Sequence, residues 1–164
     1  MTIPKGLPHP DSWPPWLQRA AADVGVRELP GVAVHPRIAT YYDHTRLGDS
    51  PNDDEVAWCS AAMCCWMEEA GYKSTRSARA RSWLGWGDEL TEPRFGCVVV
   101  FSRGNPSSGQ GHVALYVQPA PPAHVLVIGG NQHNSVRFST DYETARILGF
   151  RWPRESDRLD TITV

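Results

Sequence analysis

The amino-acid sequence predicts an α+β protein, with N-terminal helices packed on a C-terminal antiparallel sheet of about five to six strands that curls into a small half-barrel. Three observations carry that prediction. Helical periodicity is confined to the first half of the chain, and five short β-branched or aromatic runs follow Pro93. The segments between those runs are too short for crossover helices, so the strands must pair antiparallel. The chain has 164 residues, 41% hydrophobic and 21% charged. That size and composition fit one domain, 1–164, with a single core over about 13–153 and a loose tail at 154–164.

The first helix is expected in "DSWPPWLQRAAADVG". Asp11 or Ser12 would cap it, Pro14 and Pro15 fit its first turn, and Gly25 closes it. Trp13, Trp16, Leu17, Ala20 and Val24 form its apolar stripe. A mostly irregular stretch follows, with one short helical segment around Arg37 to Tyr42. The second main helix lies in "DDEVAWCSAAMCCWMEEAGY", capped by Asp53 or Asp54 and stopped by Gly71. Trp58, Ala61, Ala62, Cys65 and Trp66 recur at helical spacing and define its buried face, with Cys64 off the stripe. "STRSARARSWLGWG" predicts a shorter third helix from near Ser77 to Gly85 or Gly87. The strands are expected at 96–101, 112–117, 124–130, 135–139 and 146–152.

Formal net charge is −2 and the pI about 6.3. Such a balance provides no electrostatic footprint for nucleic acid and no basic face for a lipid surface. No apolar run approaches the ~20 residues that span a bilayer. The start is proline-rich and lacks the apolar stretch of a signal peptide. The expectation is synthesis in the cytoplasm, with any action outside it following lysis or dedicated export.

Four cysteines without a signal peptide argue against a disulfide framework. No C-x-x-C pair is present, so no metal site is expected. Packing and catalysis remain as roles. Cys65 and Cys97 read as core. Cys59 is different, because it opens a helix, where unpaired N–H groups and the dipole favour an anion and lower a thiol pKa. A thiolate nucleophile needs a base and a group to orient that base. His112, at the start of a strand behind a Gly-rich loop, and Asn131, just past the end of the next strand, would meet at one sheet edge if the two strands form a hairpin. Cys-His-Asn is one form of the nucleophile–base–orienter arrangement.

Taken together, "EVAWCSAAMCCWMEEAGY", "GCVVVFSRG", "GHVALYV" and "VLVIGGNQ" resemble the NlpC-type and CHAP cysteine peptidases and amidases that cut bacterial peptidoglycan. The chain is more narrowly similar to a phage and prophage branch of small endolysins, over about Trp16 to Trp152. The resemblance implies a papain-like fold and hydrolysis of an amide bond in the peptide part of the wall, as an endopeptidase or an N-acetylmuramoyl-L-alanine amidase, with no cofactor. It implies Cys59 as nucleophile, His112 as base and Asn131 as orienter, with Gln132 as the alternative third residue. The backbone N–H of Cys59 would serve the oxyanion. The papain-type glutamine upstream of the cysteine has no match, since Glu55 and Trp58 precede Cys59. Peptidoglycan stem peptide is the implied partner, and the chain is expected to act as a monomer.

Around that triad, Trp58, Trp83, Trp86, Gln110 and Glu28 are candidates for the substrate groove. The plainer expectation is core packing for Trp83 and Trp86, and solvent or a salt bridge to Arg81 for Glu28. His35, His44, His124 and His133 read as surface or turn residues. Two alternatives stand beside this reading. One is a secreted antibacterial effector of the same chemistry, and the other a non-catalytic wall-binding or virion module that keeps the fold.

Overall fold

The computed structural model describes residues 2–31, 33–46 and 58–160. A 3-10 turn, Pro10–Ser12, leads to helix α1 at Pro15–Ala22. Asp11 and Ser12 therefore do not cap α1, contrary to expectation. The residue before a proline is pushed out of the helical region, and Trp13 is accordingly extended, with ψ 150°. Helical geometry can begin only at Pro15, whose missing N–H is no loss in a first turn. Helix α2, Pro36–Asp43, carries a His35 side-chain cap that accepts from Arg37 N at 3.0 Å.

Helix α3 spans Cys59–Glu69. The expected caps Asp53 and Asp54 lie outside the described residues. Gly71, at φ +89°, ends the helix. Beyond it the Tyr72 N–H returns to Met67 O at 3.0 Å. One buried face was expected, yet every residue from Cys59 to Met67 is buried, Cys64 included. The reason is position: α3 packs against α1, α2 and the sheet, and a helix enclosed on all sides is apolar on all sides. Truncating one such side chain, as in Met63→Ala, costs about 2–5 kcal/mol.

The third predicted helix is only a 3-10 turn, Ala80–Gly85. Its upstream Ser and Thr side chains bond local backbone instead: Ser77 Oγ accepts from Arg79 N, and Thr75 Oγ1 from Ser77 N. Six antiparallel strands follow: β1 Asp88–Leu90, β2 Val98–Ser102, β3 Gly111–Ala120, β4 His124–Gln132, β5 Ser135–Glu143 and β6 Ile147–Trp152. Their order is β1-β6-β2-β3-β4-β5. The sequence pattern missed β1, whose three residues are too short and too acidic to register.

Alternate residues of the central strands feed two cores. Val98, Val100, Val113, Leu115 and Ile128 face the helices, while Val99, Phe101, Ala114, Tyr116 and Val127 fill the opposite side. Bulges in the β2–β6, β3–β4 and β4–β5 pairings bend the sheet strongly. Tyr142 pairs in register with Val125, yet its ring stacks on His112 at the start of β3, with centroids 4.7 Å apart and planes at 9°. Such a contact needs the sheet to curl over its second core. Residues 154–160 are not loose as expected. A capped turn at Glu155–Asp157 docks beside α3, where Lys73 N bonds Asp157 O and Leu159 N bonds Gly71 O. Residues 161–164 of the predicted tail lie outside the described residues.

Candidate active site

Cys59 is the first residue of α3, behind an N-cap, Trp58, that makes no side-chain cap bond. The thiol is 1% exposed. Burial pushes its pKa up, against the opposing pull of the N–H groups of Val113, Ser60 and Cys59 itself and of the Arg103 charge. A thiolate favoured by the helix start was expected. Here desolvation outweighs the helix terminus, and the resting group is a thiol.

The Val113 N–H that faces this sulfur belongs to the residue after His112, so the thiol meets β3 at its base candidate. The imidazole of His112 is 6% exposed and stacks on the ring of Tyr142, which in turn contacts Phe101. Burial first, then the charges of Arg103 and Arg146, hold its pKa down to about 4, while its hydrogen bond to Gln132 acts in the other direction. Burial and then the Cys59 sulfur push the Tyr142 hydroxyl up to about 12.

The group on the imidazole is Gln132, not Asn131. Oε1 of Gln132 lies 2.9 Å from His112 Nε2, and Gln132 Nε2 donates to Arg137 O at 2.6 Å. The second bond fixes which end of the carboxamide faces the ring, so Nε2 of His112 carries the proton and Nδ1 keeps its lone pair. Asn131 fails as orienter for a backbone reason. It sits at φ +53°, where the β4–β5 register shifts, and a bulge there breaks the alternation that would aim its side chain at His112. Glycines clear the space. A Cβ on Gly129 would fall 2.6 Å from Gln132 Oε1, and one on Gly130 would fall 2.8 Å from the Trp58 ring.

Of the groove candidates, Trp83 is fully buried and Trp86 7% exposed. Their indole N–H groups donate to Ser60 Oγ and Lys73 O, and the rings pack edge to face. Both belong to the core and line no groove. Trp58 is also buried and donates to Glu28 Oε1 at 2.7 Å. Glu28 thus has an indole partner instead of Arg81. Gln110 stays exposed beside the site, and its carbonyl accepts from Arg81 Nε. Sequence reasoning missed Tyr142, Arg81 and Arg103 as neighbours of the triad. For Tyr142 no local signal existed, since only curling of the sheet brings it to His112.

The remaining histidines are engaged elsewhere: His35 caps α2, His124 bonds Pro122 O, and His133 pairs with Asp141. One group of metal-type donors exists among the described residues, His44, Cys65 and Glu69, with ligand atoms within 4.8 Å of one another. Those donors are already engaged. Arg37 holds both oxygens of Glu69, and Glu68 holds Nδ1 of His44. The group is therefore part of a structural network that also ties Asp23 to Arg37, Tyr41 and Trp66. A cleft of about 570 Å³ lies near the other end of α3, lined by Trp13, Trp16, Tyr72, Arg94, Phe95 and Trp152, and its lining includes none of the predicted site residues.

Among the described residues no helix is long and apolar enough to cross a membrane. In comparison with known proteins, the chain matches no family model and no curated sequence.

Proposed function

We propose that the protein is a cysteine hydrolase of papain-like type that cleaves an amide bond in the peptide part of bacterial peptidoglycan, in the manner of an endolysin. Supporting this is one observation above the others: the buried His112–Gln132 hydrogen bond, with Nδ1 left as a base, on the strand whose next N–H faces Cys59.

The chemistry starts from a neutral pair. The Nδ1 lone pair of His112 takes the thiol proton as sulfur attacks the carbonyl carbon. The C–O π electrons move onto oxygen, and N–H groups at the start of α3 stabilise that charge. Collapse breaks the C–N bond, and the imidazolium returns its proton to the departing amine. Water, deprotonated by the same imidazole, then hydrolyses the thioester. Gln132 does not react; it holds the ring and its tautomer.

Digestion of purified sacculi tests this, with mass spectrometry of the soluble fragments. Wild-type protein should release muropeptides, and Cys59→Ser and His112→Ala should release none while keeping the native thermal transition. Intact sacculi after prolonged incubation would remove the proposal. The burial of Cys59 favours a second reading, a non-catalytic wall-binding module. In that case wild type and Cys59→Ala would bind sacculi equally and release nothing.

A further inference from the structure

The cleft near the far end of α3 takes no part in the Cys59–His112 site, and four separate stretches of chain build it. Trp13 and Trp16 stand at the start of α1, Tyr72 follows α3, Arg94 precedes β2 and Trp152 ends β6. Its rings are set edge to face. Trp16 lies against Tyr72 and Trp152 with centroids 5.2 and 5.1 Å apart, and Trp13 against Phe95 at 5.9 Å. Such contacts fix the rings against one another. The indole N–H groups of Trp13 and Trp16 are engaged by carbonyls, Pro8 O at 2.9 Å and Gly96 O at 2.8 Å. Those two side chains therefore have only ring carbon left to offer the cleft.

Charge enters the wall at Arg94, Glu155 and Arg158. Glu155 Oε1 holds Arg158 Nε at 3.0 Å, and the Arg158 guanidinium carbon lies 5.5 Å from the centroid of the Tyr72 ring. Arg94 is different. Its guanidinium carbon lies over the Trp152 ring, 3.7 Å from the centroid, and the side chain has no acidic partner and no hydrogen bond among the described residues. Contact with the indole face holds the guanidinium in place without using its N–H donors. A cleft of about 570 Å³ with aromatic walls thus carries one free guanidinium, fixed in advance. Its volume falls among those of small-ligand sites, about 300–1,000 Å³.

We propose that this cleft is a second ligand site, which takes a small molecule with a flat apolar body and a single carboxylate, the carboxylate on Arg94 and the body among the rings. Two features select that charge. The planar fork of an arginine matches the two oxygens of a carboxylate. A dianion such as a phosphate monoester would meet only one free guanidinium, with the Glu155 carboxylate in the same wall. The site is independent of the hydrolase reading, because its lining includes neither Cys59 nor His112.

Three probes with one ring system test it: 2-naphthoate, its neutral amide and 2-naphthyl phosphate, each titrated into the full-length protein by calorimetry. The naphthoate should bind with a Kd of about 1 mM or below. It should bind about 10-fold or more tighter than the amide, and tighter than the phosphate. Arg94→Gln changes an exposed residue, so the thermal transition should be unaltered while acid and amide come within about twofold of each other. Cys59→Ala should leave all three affinities as they are. Equal binding of acid and amide, or a preference for the acid that survives Arg94→Gln, overturns the proposal. Tighter binding of the phosphate, or a naphthoate affinity that changes in Cys59→Ala, does the same. No saturable binding of any probe up to about 10 mM ends it as well.

Discussion

His112 Nε2 and Gln132 Oε1 lie 2.9 Å apart in a site where both side chains are buried, and Arg137 O locks the other end of the carboxamide. The imidazole thus has one tautomer and one orientation before any substrate arrives. Gln132→Ala is expected to lower kcat about 10–100-fold with little change in KM, since it removes a group that only positions the base. Gln132→Glu would put a negative charge on the ring and move the acidic limb of the pH–rate profile upward. Asn131→Gly keeps the left-handed backbone, removes the side chain and should change kcat less than about threefold. Loss of activity in Asn131→Gly with full activity in Gln132→Ala would reverse the assignment.

Cys59 should be a slow thiol in the resting protein. Its pKa is raised by burial, and the imidazole beside it is neutral above about pH 4. Iodoacetamide at neutral pH is therefore expected to label Cys59 more slowly than an exposed thiol of ordinary pKa. Labelling followed by peptide mass spectrometry reads this directly. Rapid alkylation near pH 6 would show a preformed thiolate–imidazolium pair instead.

The sequence was informative wherever one local pattern decides the outcome. Five strands announced themselves as β-branched runs, and the short α2 was visible around Arg37 to Tyr42. The pairing of β3 with β4, and with it the meeting of His112 and the 131–132 segment, follows from strand order alone. What stayed hidden depends on departures from regular geometry. A left-handed residue at Asn131 passes the orienting role to its neighbour, and no periodicity encodes that. Desolvation at Cys59 was invisible too, because α3 reads as one-faced until it is surrounded. Trp83 and Trp86 shared a spacing with groove aromatics and with core ones, and only their buried N–H partners separate the two.

Trp83 provides a clean separation of stability from binding. Trp83→Phe removes the N–H that donates to Ser60 Oγ and leaves ring volume largely in place. The expected cost is about 1–3 kcal/mol, from the lost hydrogen bond and the imperfect refilling of its site. KM should be unchanged, since the side chain is fully buried. Chemical denaturation and steady-state kinetics on one preparation check both halves. A raised KM with unaltered stability would return Trp83 to the groove.

The adjacent glycines 129 and 130 should fail in different ways. A methyl group on Gly130 meets the Trp58 ring at 2.8 Å and Ala62 Cβ at 2.9 Å, so Gly130→Ala overpacks the contact between β4 and α3. A loss of about 1–3 kcal/mol is expected. On Gly129 the nearest atom is Gln132 Oε1 at 2.6 Å, the atom that holds His112. Gly129→Ala should therefore lower kcat more than its change in stability explains. Equal effects of both substitutions on kcat, after correction for folded fraction, would contradict that division.

The buried ionisable groups also predict a stability maximum between about pH 6.5 and 9. His112 falls to about 4 in the native state from an ordinary 6.5. Between those values the unfolded chain binds a proton that the native chain refuses, so stability declines as pH drops, by up to about 3 kcal/mol. Glu69, held low by Arg37, adds to the decline once pH falls below its ordinary 4.5. On the other side, Cys59, Cys64, Cys65 and Cys97 are all raised above an ordinary 9.0 by burial, Cys97 to about 11. The unfolded chain releases those protons first, so stability also declines as pH climbs past 9. Thermal denaturation at about pH 5, 7 and 10 should give the highest Tm at 7. His112→Gln should reduce the difference between 5 and 7, because it removes a group whose titration is shifted across that interval. A Tm that holds or rises from pH 7 to 5 in the wild-type protein would mean that His112 is protonated in the native state, and the neutral thiol–imidazole pair would have to be abandoned.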